Sequence, residues 1–262
     1  SNPLTPAGWS YNPGPTNARC GAQVAAGDLD QQNGDDLVVL CQGLSSLNFF
    51  LNTGAGLPLS PTFSVPTTGT INDIQSMLVA ELDGTGRPEL VLGTQGLVRV
   101  FRVDAGNSSA TEVKTVTISS SAPPHIAKMR LTAADQRDDI AVEVSRVISF
   151  LEGNQTNILV ASTAASLNFS SFSTIAFAPV DYDGNGVSDL MIGDPSYNSN
   201  RGRVLMKGNN GPGAFSDNAQ SPASGNSGER LGSALLGADL NRDLHDDLVM
   251  CGTGINGGTG GC

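Results

Sequence analysis

The sequence predicts an all-β protein assembled from a repeated four-stranded antiparallel unit, and three observations carry that prediction. The first is composition: 32 Gly and 14 Pro in 262 residues, with 15% charged and 5% aromatic residues, favour short strands and tight turns over long helices. The second is a recurrent acidic loop that opens at residues 28, 81, 131, 181 and 239, spacings of 53, 50, 50 and 58. The third is that each loop lies between two short apolar runs rich in Val, Leu and Ile, so that each period reads strand, acidic loop, strand, turn, strand. A period of about 50 residues with four strands per unit is the signature of a β-propeller. Five loops therefore imply about five blades, each too thin to bury both faces of its sheet without a neighbour.

In chain order, residues 1–18 form an arm rich in Pro, Asn and Gly that carries Trp9 and Tyr11. The expectation is an extended segment that helps complete the last blade, its aromatics packed there rather than exposed for binding. The blades are expected at residues 19–66, 67–119, 120–167, 168–224 and 225–262. In the first, residues 22–26 lead into the loop, and 37–40, 47–51 and 59–65 supply the following strands. The second repeats this with 76–80, 90–93 and 97–101, and residues 111–118 alternate apolar with polar side chains, as an outer strand with one solvated face would. The third keeps the strand pattern at 126–131, 140–142, 147–151 and 158–160 but is worn in its loop, where Leu131 and Ala133 stand at positions 1 and 3. The fourth runs from 172–180 to 202–206 through a long turn at 195–201, and the fifth stops in Gly-rich sequence, with no third or fourth strand.

The best loop is Asp181-Tyr182-Asp183-Gly184-Asn185-Gly186-Val187-Ser188-Asp189. Carboxylates this close repel one another unless a cation lies among them, and hard oxygen donors in a flexible loop suit Ca²⁺ better than Mg²⁺. An EF-hand would require Glu at position 12 and flanking helices; Ile192 and Met250 occupy that position, between β-like runs. The candidate ligands are Asp181, Asp183, Asn185, Val187 (through its carbonyl) and Asp189 in the fourth loop, and Asp239, Asn241, Asp243, His245 (through its carbonyl) and Asp247 in the fifth. Asp28, Asp30 and Asp36 in the first loop and Glu81, Asp83, Thr85 and Glu89 in the second bring the expected Ca²⁺ sites from two to as many as four. Carbonyls of Gly34 and Arg87 are further candidates at position 7. An Asx-turn network without metal is the alternative in each loop.

A net charge of −11, from 25 acidic and 14 basic residues, argues against phosphate-mediated nucleic-acid binding. No apolar run approaches the length of a membrane span, so no membrane insertion is expected within this chain. Four cysteines are present. Cys20 and Cys41 flank the first two strands, and Cys251 and Cys262 bracket the Gly-rich tail. Sequential bridges, Cys20–Cys41 and Cys251–Cys262, are expected; a bridge between the chain ends or four buried thiols are the alternatives. Asn107, Asn154 and Asn168 open glycosylation sequons. Disulfides with calcium point to an extracellular, secreted or cell-surface setting.

Glu229-Arg230-Leu231-Gly232-Ser233-Ala234 through Asp247-Leu248-Val249 resembles an FG-GAP repeat, with Leu231-Gly232 in place of the Phe-Gly of that family. Ile192-Gly193-Asp194-Pro195 is similar to its Gly-Ala-Pro segment. The resemblance covers residues 19–262, strongest in the last two repeats and weakest in the third. It implies an integrin-α-like propeller head whose acidic loops join inner strands and bind Ca²⁺, and whose task is adhesion or ligand recognition. This chain departs from the pattern at Gln32, Asn33, Glu81, Thr85, Glu89 and Leu244, and integrin heads have more blades than the five motifs here.

The expected function is a calcium-binding recognition module with a protein or carbohydrate partner at a cell surface or in the extracellular matrix. A carbohydrate-binding lectin is the alternative; of the position-2 residues only Tyr182 is aromatic, against Leu29, Leu82, Thr132 and Leu240, which counts against several equivalent sugar sites. A glycan-active enzyme is disfavoured because no acid/base pair lies outside the metal loops, and His125 and His245 make no catalytic arrangement.

Overall fold

In the computed structural model, residues 10–13, 17–67, 73–118, 122–211, 213–216, 220–243, 245–255 and 260–262 are described. Trp9 and Leu244 lie outside them, as does most of the arm on which the completion of the last blade was expected to depend. The chain divides into two compact units, Ser1–Ile126 with Asn154–Ile158, and Ala127–Gly153 with Leu159–Cys262.

In the first unit, β1 (Cys20–Gly27), β2 (Asp36–Cys41), β3 (Ser46–Phe50) and β4 (Phe63–Pro66) form one four-stranded sheet, paired in chain order. A second sheet repeats the order with β5 (Ser76–Ala80), β6 (Glu89–Thr94), β7 (Leu97–Asp104) and β8 (Ser109–Thr117). Position in the sheet explains the sequence of each strand. β6 is buried along its whole length and reads Glu-Leu-Val-Leu-Gly-Thr, whereas the outer β8 reads Ser-Ala-Thr-Glu-Val-Lys-Thr-Val-Thr and is nowhere buried. The two sheets share one core, in which Leu29, Leu40, Leu47 and Phe49 meet Met77, Leu90, Leu92 and Phe101. Each such buried side chain contributes roughly 1.5–3 kcal/mol relative to exposure. The described part of the arm packs on the first sheet: Gly43 N–H donates to the Ala18 carbonyl, and Tyr11 meets Phe50 edge-on at 4.9 Å.

The second unit holds most of the third sheet, of β9 (His125–Met129), β10 (Asp139–Val144), β11 (Val147–Asn154) and β12 (Ile158–Ala161), with β13 (Leu167–Asn168) also paired to β11. β14 (Ala176–Val180), β15 (Asp189–Asp194), β16 (Arg203–Lys207) and β17 (Gln220–Ser224) form the fourth. Met129, Leu131, Ile148 and Phe150 of the third pack with Leu190 and Ile192 of the fourth. β18 (Leu231–Ala238) and β19 (Asp247–Gly252) form a two-stranded sheet among the described residues, with a single parallel bridge from Leu231 to Gly202. Their partly buried Leu235, Leu248 and Met250 pack against Ala178, Val180, Met191 and Val204.

Cys20 bonds Cys41, its register partner across β1 and β2, and Cys251 bonds Cys262. The sequential pairing is therefore the one present, and no bridge joins the chain ends.

Candidate functional site

The acidic loops share one device that the residue types alone do not reveal. Each closing carboxylate accepts the backbone N–H of the residue at loop position 2. The pairs are Leu29–Asp36 at 2.9 Å, Leu82–Glu89 at 3.2 Å, Leu131–Asp139 at 2.7 Å, Tyr182–Asp189 at 3.2 Å and Leu240–Asp247 at 3.0 Å. In three loops its other oxygen accepts an amide near the end of the third strand: Asn52 for Asp36, Gly153 for Asp139 and Asn209 for Asp189. The closing acid thus ties loop start, second strand and third strand together, whatever else it holds.

This geometry corrects the third loop. The separation from position 2 to the closing acid is 7 residues in the other loops and 8 from Leu131 to Asp139. Leu131 therefore stands at position 2, the position that the buried Leu29 and Leu82 hold in their own loops, and the loop opens at Arg130. One inserted residue shifted the reading of positions 1 to 3.

Two loops, Asp28 with Asp30 and Asp36, and Glu81 with Asp83 and Glu89, offer one oxygen from each carboxylate within 4.8 Å of one another. Among the described residues the fourth and fifth loops do not gather three carboxylates so closely. There the acids serve their own backbone. Asp181 accepts the N–H groups of Asn185 and Gly186, Asp183 that of Asn185, and Asn185 Oδ1 that of Val187. In the fifth loop Asp239 accepts Arg242 and Asp243, Asn241 accepts Asp243, Asp243 accepts His245, and Asp247 accepts Leu240 and Asn241. The His245 ring is exposed and lies against Gly184, where an added Cβ would approach its Cε1 to 2.2 Å. Gly184 also has φ +72°, so a side chain there meets both a collision and backbone strain.

The first loop fits a hard divalent cation. Among the described residues no basic side chain is bonded to its three acids, and Asp28 and Asp30 each spend one oxygen on Gln32 N–H. Burial, with the charge of Asp30 beside it, raises the Asp36 carboxyl above its usual range. The second loop does not fit. Arg102 Nη2 lies 2.6 Å from Asp83 Oδ2 and 2.5 Å from Glu89 Oε1, so a guanidinium holds the oxygens of Asp83 and Glu89 that the loop amides leave over. Thr85, expected as a ligand there, donates its backbone N–H to Glu81 and Asp83. In the third loop Arg137 pairs with Asp135, and Asp139 is desolvated until its carboxyl titrates at about 6.

At the far end of the strands from the loops, the fourth blade carries a separate feature. The turn between its second and third strands spans 195–202, against 42–45, 95–96 and 145–146 in the first three blades. Tyr197 stands 40% exposed at its tip. The Arg203 guanidinium stacks on the Tyr197 ring at 3.8 Å and on Phe172 at 5.2 Å, and bonds the buried Asp194 at 3.2 Å. Asn198, Ser199 and Asn200 follow with φ of 46°, 61° and 61°, left-handed conformations that cost energy unless the surroundings hold them. Backbone bonds hold them here: Gly202 N–H donates to Tyr197, Arg230 to Asn200 and Leu231 to Arg201. In the first unit, the corresponding end of the first blade borders a cleft of about 270 Å³, with Leu40 and Ile74 among Gln42, Ser45, Thr67, Asp73 and Gln75.

Asn107 is exposed in the turn after β7 and Asn168 is exposed at the end of β13, and Asn154 is half-buried with its Oδ1 accepting Thr156 and Asn157.

No family model matches the sequence, and no curated protein sequence does. Solved structures match. A lectin of Agrocybe aegerita, determined for its specific recognition of non-reducing terminal N-acetylglucosamine, aligns with a TM-score of 0.60 at 16% identity, over 89% of this chain and 63% of that one. The fold is a β-propeller. Saccharomyces cerevisiae Sqt1 aligns with a TM-score of 0.48 at 11% identity, over 76% of this propeller chain and 48% of its own. The chain spans less than two thirds of either structure's length.

Proposed function

We propose that this propeller is an extracellular, non-catalytic recognition module that binds a glycan through its inter-strand turns, with Ca²⁺ as a structural ion in acidic loops other than the second and third. The observation that carries this reading is the 195–202 turn. It presents an exposed Tyr197 beside Asn198, Ser199 and Asn200, the amphipathic ring and adaptable polar groups that binding loops use. The stack on Arg203 and the three backbone bonds prepay the ordering of the turn, which favours affinity. The lectin of similar fold adds support for a carbohydrate partner, and the two disulfides agree with an oxidising compartment. The FG-GAP-like repeat pattern supports the calcium and adhesion parts of the proposal.

The test is a glycan array, including N-acetylated terminal sugars, probed with the wild-type chain and with Tyr197→Ala. We expect binding to a restricted set of glycans and a loss of at least about tenfold in the variant, the scale of one anchoring aromatic, at an unchanged fold by circular dichroism. Silence across the array, or undiminished binding by the variant, refutes glycan recognition by this turn.

A further inference from the structure

We propose that Arg102 is the resident counter-ion of the second acidic loop, and that its guanidinium replaces a divalent cation there. The loop keeps the acidic pattern of its relatives, and its acids converge within 4.8 Å. What differs is the occupant. Asp83 gives one oxygen to Thr85 N–H and Glu89 gives one to Leu82 N–H. Arg102 takes the remaining oxygen of each, through Nη2, and adds a bond from Nε to Glu89 at 3.2 Å. A cation entering the cluster would compete for those same two oxygens.

Strand register explains why this happens in one blade. Leu90, which follows the closing acid, pairs with Phe101, and Arg102 comes next. The matching pairs are Leu37 with Phe50, Ile140 with Leu151 and Leu190 with Lys207. The residues that come next are Leu51, Glu152 and Gly208, none of them a cation. The acid has changed with its partner: the closing residue is Glu89 here and Asp in the other loops. Where those Asp residues take a second backbone amide, Glu89 takes the guanidinium. Glu89 is fully buried and Asp83 5% exposed, so the two acids are shielded while the Arg102 side chain stays 29% exposed, and its charge-assisted hydrogen bonds are stronger than neutral ones.

The test counts bound ions by calorimetric titration of Ca²⁺ into the full, chelator-stripped chain. Asp83→Ala is expected to bind the same number of Ca²⁺ ions as wild type; one ion fewer overturns the proposal. Arg102→Ala is expected to bind one ion more, with a melting temperature that is depressed in EDTA and gains more from Ca²⁺ than wild type does. No additional ion in Arg102→Ala also overturns it. Should Arg102→Ala fail to fold, the Asp83→Ala count decides alone.

Discussion

Asp139 illustrates how one residue is set by its surroundings. It is 3% exposed and accepts two backbone amides. Its carboxyl titrates at about 6 because burial outweighs those bonds, with Asp135 and Glu152 adding repulsion. The folded pKa lies above the unfolded value of 3.8. The stabilising contribution is therefore fully present below pH of about 4 and is lost as the pH rises through 6, on the order of 2–3 kcal/mol. Urea unfolding of wild type and Asp139→Asn at several pH values between 4 and 7 measures it. The variant should lack that part of the pH slope; parallel slopes would disprove the assignment. Asn209 is a second residue whose role came only with the structure. It is buried, gives its N–H to Asp189, and donates through Nδ2 to the carbonyls of Leu131 and Ser188. In the sequence it is one of two asparagines in a Gly-rich stretch, and its partners lie 20 to 78 residues away.

At the scale of elements, the loops and strands were legible wherever a regular pattern carried them. Buried second strands read as apolar runs, outer strands as alternation, and the loops as spaced acids. The third loop was read one residue out of step because an insertion cannot be placed by residue type when the ligands themselves have changed. The fifth repeat shows what pairing without outer strands implies. A two-stranded ribbon is marginal on its own, and the Cys251–Cys262 bridge ties the tail back to β19, where Gly252 and Gly261 also bond. Replacing both cysteines with serine releases a loop with a sequence separation of 11 and is expected to cost about 2–3 kcal/mol. Amide exchange should then accelerate first in β18 and β19. Unchanged exchange in those strands would show that packing on the fourth blade suffices.

At the scale of the whole chain, the proposed calcium is the variable to test. With Arg102 closing the second loop and Arg137 present in the third, the remaining candidates are the first, fourth and fifth loops. The first leads, because its acids converge and no basic partner is bonded to them among the described residues. Ions that bind only the folded chain stabilise it by mass action. EDTA is therefore expected to lower the melting temperature by about 5 °C or more, on a scale where 1 kcal/mol shifts a domain of this size by roughly 2–4 °C. An unchanged melting temperature together with no metal by elemental analysis would leave Asx-turn networks as the sole content of these loops.

The sequence by itself determined the all-β class, the blade grammar and the places of four of the five acidic loops, and it favoured the cysteine pairing that the structure then selected from the alternatives. Each of these follows from local patterns, in which side-chain period, loop spacing and neighbouring cysteines report directly on structure. Only the tertiary structure decided what balances the acids. Arg102 lies 19 residues from Asp83 and 13 from Glu89, and strand register alone brings them together. Charge compensation acts across distances of a few ångströms in space, so a pattern of ligand types along one loop is blind to a cation delivered by the next strand.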